Sequence, residues 1–292
     1  MKPAPFVYYD PTTVDEAVSL LAEHGSEAKV LAGGQSLMPL LNMRLARPAV
    51  VVDVNRVGGL DYIRQENGGL AIGALTRQRS VERSDVVART QPLLAAATRL
   101  IAHPQIRNRG TVGGSIAHAD PAAEYPAVAL ALGAELRVAG PRGERAVQAE
   151  DFFVTYLTTA LEPDELVAEV RLPPQPARTG WSVMELSRRH GDFALAGVAA
   201  TLTLESNGEC AGGRIVLFGV GATPLRVYAA EQLLAGERPD ATLFEAVAQA
   251  AANAIEEPLA DIHASGDYRR HLARVLTQRA LVEAAGRAQE AT

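Results

Sequence analysis

Three prolines in four positions, Pro173-Pro174-Gln175-Pro176, restrict this chain more than any other feature. Proline fixes φ and offers no N–H, so the segment cannot lie inside a helix or a central strand. It sets a boundary near residue 176 and divides the 292 residues into 1–176 and 177–292. With 48% of the residues hydrophobic, both parts can bury a core. The 34 acidic side chains outnumber the 28 basic ones, for a net charge of -6, which argues against a nucleic-acid surface. A single cysteine, Cys210, rules out an internal disulfide, a thiolate zinc site and the ligand set of an iron–sulfur cluster. Redox chemistry would need a borrowed cofactor. None of the six histidines falls in an H-x-x-x-H or H-E-x-x-H pattern, so no metal site is expected. The longest strongly apolar uncharged stretch, Phe193 to Leu204, is too short to span a bilayer, and the first residues carry no apolar signal run. The chain is expected to be soluble and cytoplasmic.

The opening residues read as a compact α/β unit of about 1–57. Thr13 and Glu16 form a capping box ahead of Val14, Ala17, Val18 and Leu21, predicting a helix that ends near His24-Gly25. Ala28 to Ala32 reads as a strand, Gly33-Gly34 as a turn, and Ser36 as the cap of a second helix through Leu40, Leu41 and Leu45. Val50-Val51-Val52 is a buried strand closed by Asp53. In residues 58–176, Leu70 to Gly73 and Leu136 with Val138 predict strands, and Pro92 to Ile101 a helix. Thr111 to Ser115 predicts a second glycine loop, and Asp120-Pro121 a helix start with Asp120 as cap. Beyond the prolines, Gly197 to Leu204 and Arg214 to Val220 predict antiparallel strands. Helices follow at roughly 225–235, 242–255 and 268–284, the last with Tyr268, Leu272, Val275 and Leu276 on one stripe. Strands then helices make this an α+β module.

Neither glycine loop carries a P-loop lysine or a G-x-G-x-x-G after a first strand. Both place adjacent glycines beside hydroxyls, Ser36 in one and Thr111 with Ser115 in the other. Such loops let backbone N–H groups approach an anion, and two of them suit the two phosphates of a dinucleotide; the plain alternative is a pair of tight turns. Arg107 and Arg109 suit either phosphate or a structural ion pair. His103 and His118 flank the second loop, next to a ligand or as surface residues. Cys210 reads as an inert thiol.

The motifs in combination resemble the FAD-binding medium subunit of the molybdenum hydroxylases, the family that includes the medium chain of aerobic carbon monoxide dehydrogenase and the flavin domain of xanthine dehydrogenase. Leu31-Ala32-Gly33-Gly34-Gln35-Ser36-Leu37 is similar to that family's first flavin loop. Gln105-Ile106-Arg107-Asn108, Thr111-Val112-Gly113-Gly114-Ser115 and Pro121-Ala122-Ala123-Glu124 follow the second stretch in order. The resemblance implies an α+β fold: a two-part N-terminal FAD-binding domain of the vanillyl-alcohol-oxidase-like (PCMH) type, then a C-terminal domain with an antiparallel sheet and a helical bundle. It implies that both loops bind the FAD pyrophosphate, with hydrogen bonds from Thr111 and Ser115. Ile101, Ala102 and Ile106 would line the adenine side, Ala123-Glu124 the ribityl or ribose part, and Leu161 would pack on the isoalloxazine. Phe193 stands where relatives can carry an aromatic ring near the flavin, and Glu185 where many carry Lys.

No acid–base pair, nucleophile elbow or metal set accompanies the cradle. The resemblance implies an oxidoreductase component that passes electrons through FAD to an external acceptor. Its partners would be a molybdopterin-containing large subunit and a small subunit with two [2Fe–2S] clusters, in a dimer of heterotrimers. A self-sufficient FAD-dependent oxidoreductase on the same cradle, like the UDP-N-acetylenolpyruvoylglucosamine reductases, is the alternative. A non-catalytic scaffold whose glycines are plain turns is a third reading.

Overall fold

Thr13 opens the first helix, Val14–His24, with both halves of the capping box made: Glu16 N donates to Thr13 Oγ1, and the Glu16 carboxylate accepts from Thr13 N. Ala17, Val18 and Leu21 bury its inner face. The computed structural model describes residues 2–291. The helix crosses between strands of a three-stranded parallel sheet, β1 (Val7–Tyr9), β2 (Ala28–Leu31) and β3 (Val50–Asp53), in the order β1-β3-β2. β3 is central, which explains its uninterrupted valines. Ser36 precedes the second helix, Leu37–Asn42, but its side chain caps no N–H. That helix also stops short of Leu45, because Arg44 adopts a left-handed φ of 58° and Leu45 is 72% exposed.

Residues 63–172 build a five-stranded antiparallel sheet from β4 (Ile63–Glu66), β5 (Gly69–Gly73), β6 (Glu135–Gly140), β7 (Gly143–Gln148) and β10 (Leu166–Leu172). Its order is β4-β5-β10-β6-β7, and a hairpin of β8 (Phe153–Thr155) and β9 (Thr158–Thr159) stands apart from it. β10 is central yet carries Glu169, whose buried carboxylate is answered by the Tyr62 hydroxyl and Arg171. Helices Pro92–Leu100 and Glu124–Leu132 join Leu70, Ile72, Leu136 and Val170 in one core. Asp120 does not cap the second of these. Its Oδ1 accepts from Ala122 N in a local turn, and the helix starts only at Glu124.

The last sheet is a meander of β11 (Thr179–Ser187), β12 (Ala194–Leu204), β13 (Cys210–Phe218) and β14 (Leu225–Arg226). Helices Tyr228–Gln232, Ala241–Asn253 and Gly266–Glu290 follow. The helix expected from Leu225 begins instead as β14, since Leu225 and Arg226 pair with Leu217 and Val216, and it is helical only over Tyr228–Gln232. In the final helix Leu272 and Leu276 are buried, whereas Tyr268 is 45% exposed and lies outside the stripe. The sheet is covered on both sides. Ile215 and Leu217 face the helices, while Val216 and Phe218 enter the core of the first part. Gly219 N also donates to Pro121 O (2.7 Å), and Arg214 to Leu130 O (3.1 Å), across the same seam. No helix among the described residues is long and apolar enough to cross a membrane.

Candidate functional site

The turn after β2 supplies the first element of the site. Gly33 is buried, and a Cβ there would sit 2.5 Å from Arg109 O and 2.8 Å from Gly110 Cα, so only glycine lets this loop rest on the 109–110 backbone. Gly34 has φ +74°. The loop carbonyls are held inward: Ala32 O accepts from Asn55 Nδ2 (2.7 Å) and Gly33 O from Gln35 Nε2 (3.0 Å). The N–H groups of Gly33, Gly34, Gln35, Ser36 and Leu37 donate to no protein acceptor among the described residues. A run of free amides in a half-buried loop at the start of a helix is a cradle for an anion.

The second glycine segment is built differently from the expected open loop. Thr111 caps a helix, Val112–His118, by accepting from Gly114 N (3.1 Å). Val112 N donates to Thr76 O (3.0 Å), Gly113 N to Ala74 O (2.8 Å) and Ser115 N to Thr111 O (3.1 Å). These amides are spent inside the protein, which corrects the expectation of a second amide nest. What this segment presents is hydroxyl: Thr111 keeps its hydrogen to donate, and the half-buried Ser115 side chain has no protein partner among the described residues. Gly113 is needed because a Cβ would overlap Ala74 at the end of β5. A Cβ on Gly114 would lie 3.6 Å from that of Ala32, so the two segments adjoin.

Two residues that sequence reasoning missed tie the segments together. Arg77 donates to Arg109 O (2.6 Å) and to Asn55 Oδ1 (2.7 Å), while Asn55 in turn holds Ala32 O. Asn55 is itself fixed by Asp53, whose Oδ1 accepts from Asn55 N (2.9 Å). The spacing of Asp53 and Asn55 just past a buried strand was the available signal. Arg107 proves structural: it is buried, pairs with Glu82 (2.9 Å) and donates to Ile101 O (2.7 Å). The arginine holds the Glu82 carboxyl below its usual range, with burial opposing. The same guanidinium reaches Ala102 O, at a residue with φ 40°, so it shapes the turn that carries Ile101, Ala102 and the half-buried Ile106.

Carboxyl groups occupy another part of the site. Glu124, beside the buried Ala123, opens the helix Glu124–Leu132; burial pushes its carboxyl up to about 8, and the neighbouring Glu185 on β11 adds to the rise. Burial likewise lifts Glu185 to about 7, and its buried Oε2 has no hydrogen-bond partner among the described residues. His118 is pushed down by burial. The connection from β11 to β12 folds back through the Arg189–Asp192 ion pair (3.1 Å), and Gly191, at φ 85°, lies against the His103 ring. His103 and His190 meet edge to face at 5.8 Å. Phe193, next along this connection, is 67% exposed. Leu161, just after β9, is half-buried against the first core.

This donor set suits a ligand with a diphosphate at one end and hydroxyl or N–H donors at another. The free amides and the Thr111 and Ser115 hydroxyls answer the anion, and the unpartnered Glu185 oxygen beside Glu124 awaits a donor. No group of three or more His, Cys, Asp or Glu side chains among the described residues could hold a metal ion.

Residues 4–175 match the family described as the FAD binding domain in molybdopterin dehydrogenase, and residues 181–284 the CO dehydrogenase flavoprotein C-terminal domain. The chain is 43% identical to the 6-hydroxypseudooxynicotine dehydrogenase complex subunit alpha of Paenarthrobacter nicotinovorans, over 99% of this chain and 97% of that one. It is 41% identical to the caffeine dehydrogenase subunit beta of Pseudomonas sp. strain CBB1, over 98% and 97%. Its fold is similar to carbon monoxide dehydrogenase from Hydrogenophaga pseudoflava, with a TM-score of 0.95, 42% identity, and 98% and 99% of the two chains covered. Quinoline 2-oxidoreductase from Pseudomonas putida 86 gives 0.92, at 38% identity and 99% of both chains.

Proposed function

Because the chain belongs to the FAD-binding medium subunits of the molybdenum hydroxylases, an oxidoreductase family, we propose that it serves as the electron-transfer flavoprotein of such a complex. In this reading it receives electrons from the [2Fe–2S] clusters of a small subunit and delivers them to an external acceptor. A large subunit with the molybdopterin cofactor completes the assembly, as a dimer of heterotrimers in the cytoplasm. FAD, when bound, supplies the chemistry of accepting and releasing electrons. The chain's part is to bind and orient.

The observation that carries the reading is the run of unengaged amides from Gly33 to Leu37, locked against residues 109–114. Leu31, Ala32, Gly33, Gly34, Gln35, Ser36 and Leu37 would hold the pyrophosphate, with Thr111, Gly113, Gly114 and Ser115 closing the cradle through the two hydroxyls. The turn of Ile101, Ala102 and Ile106 would take the adenine. Ala123 and Glu124 would face the polar chain, Leu161 would meet the isoalloxazine, and Phe193 would stand at its open side. Residues 1–176 form the cofactor part in this scheme and 177–292 its cover; the gap between β10, ending at Leu172, and β11, starting at Thr179, supports that division. The substrate of the complex would be chosen by the large subunit, in keeping with medium-type relatives whose names cite substrates as unlike as caffeine and carbon monoxide.

The test uses Gly33→Ala. Its methyl group would meet the Arg109 carbonyl rather than the ligand itself, so the two segments should part, stability should drop by about 1–3 kcal/mol, and the flavin-to-protein ratio should fall. Full flavin content in a folded variant would contradict the cradle. Co-purification should bring molybdenum and iron with the native chain. Turnover of a small substrate by this chain alone would instead favour the self-sufficient flavoenzyme.

A further inference from the structure

The seam between the two halves of the molecule also holds a cavity of about 410 Å³ that shares no residue with the cradle. Its walls come from the turn at Gly68, the helix junction Arg89–Pro92, the proline linker, β11 and the end of the final helix. The charged lining is three arginines, Arg89, Arg178 and Arg287, with no Asp or Glu among the lining residues. Arg287 is partly answered: it donates to Glu283 (2.5 Å) and to Trp181 O (2.6 Å), and its guanidinium lies 3.7 Å from the centre of the Trp181 ring.

The other two are not answered. Arg178 has a buried Nε without a hydrogen-bond partner among the described residues, on a backbone held at φ 54°. Arg89 is exposed and forms no ion pair or side-chain hydrogen bond among the described residues. A desolvated guanidinium donor without an acceptor is costly, and neighbouring like charges add to the cost. Pro92, which starts the nine-residue helix Pro92–Leu100, lines the same wall. Two unanswered guanidinium charges match a dianion better than a monocarboxylate, and the guanidinium fork fits phosphate oxygens in pairs.

We propose that this seam cavity is a binding site for a small phosphate-bearing molecule, gripped by Arg89 and Arg178 and walled by Trp181 with Arg287. The ligand would contact residues from both halves and so brace the seam. Trp181 is the single tryptophan of the chain, so its emission reports on the site. The experiment titrates the flavin-loaded full chain with inorganic phosphate, AMP and acetate at constant ionic strength, read by calorimetry and by tryptophan emission. Saturable binding of phosphate and AMP, each tighter than acetate, is expected. Equal affinities for the two would assign recognition to the phosphate group alone, and tighter AMP to a phosphate monoester. R89Q and R178Q should each weaken binding about tenfold at unchanged flavin content. Absence of saturable binding by both readouts overturns the proposal. So does native affinity in R89Q, whose exposed side chain makes no contact that folding needs.

Discussion

Glu124 and Glu185 show how burial can dominate the protonation of a site. Each carboxyl titrates near 4.5 in an unfolded chain but holds its proton to about 8 and about 7 here. Between those limits the unfolded chain binds fewer protons than the folded one, so stability falls as pH rises and levels off above about 8. The cofactor-free chain should therefore melt at progressively lower temperature as pH goes from about 5 to about 8. Glu185→Gln should flatten part of that slope. A melting temperature that climbs with pH over this range, or an equal slope in the variant, would refute the assignment. Glu124 was legible in the sequence through the Pro121-to-Glu124 motif. The proximity of Glu185, about 60 residues further on, was not, because it arises only where β11 passes the start of another helix.

At the scale of elements, Arg107 links two helices through Glu82 and the turn at Ile101. Arg107→Ala should cost about 1–3 kcal/mol by removing the donor to the Ile101 and Ala102 carbonyls and leaving Glu82 to Arg79 alone, seen as a clear drop in denaturant midpoint. The exposed Arg109→Ala should stay within about 0.5 kcal/mol of the parent. If both variants lose stability equally, the structural role given to Arg107 is wrong. Elements defined by local rules were readable. The Thr13–Glu16 capping box and the Val50–Asp53 strand came out as expected, since their signals lie within a few residues. Elements defined by distant partners were not readable. β10 hides its central place behind Glu169 and Arg171, which pair with each other along the strand while Tyr62, distant in sequence, donates to Glu169. The second glycine segment reads as a loop until Ala74 and Thr76 take up its amides.

For the molecule as a whole, the division at the prolines does not make two independent bodies. Val216 and Phe218 of β13 lie in one core with Leu93, Tyr125 and Val128. A chain cut to residues 1–176 should consequently expose that core, aggregate and retain no flavin; a monomeric truncated form with bound FAD, seen by size exclusion and visible absorbance, would disprove this. Gly197, paired with Phe218 on the neighbouring strand, makes room for that ring, since a Cβ there would overlap it. By itself the sequence determined the α+β class, the first glycine turn and the lack of a set of thiol ligands, all of which follow from local backbone chemistry or composition. Tertiary structure alone decided which glycine segment keeps its amides free, how Arg77 and Asn55 bind the two together, and where three arginines meet at the seam. Those outcomes depend on which acceptor each donor finds, and in a folded chain the acceptors come from residues far apart in sequence.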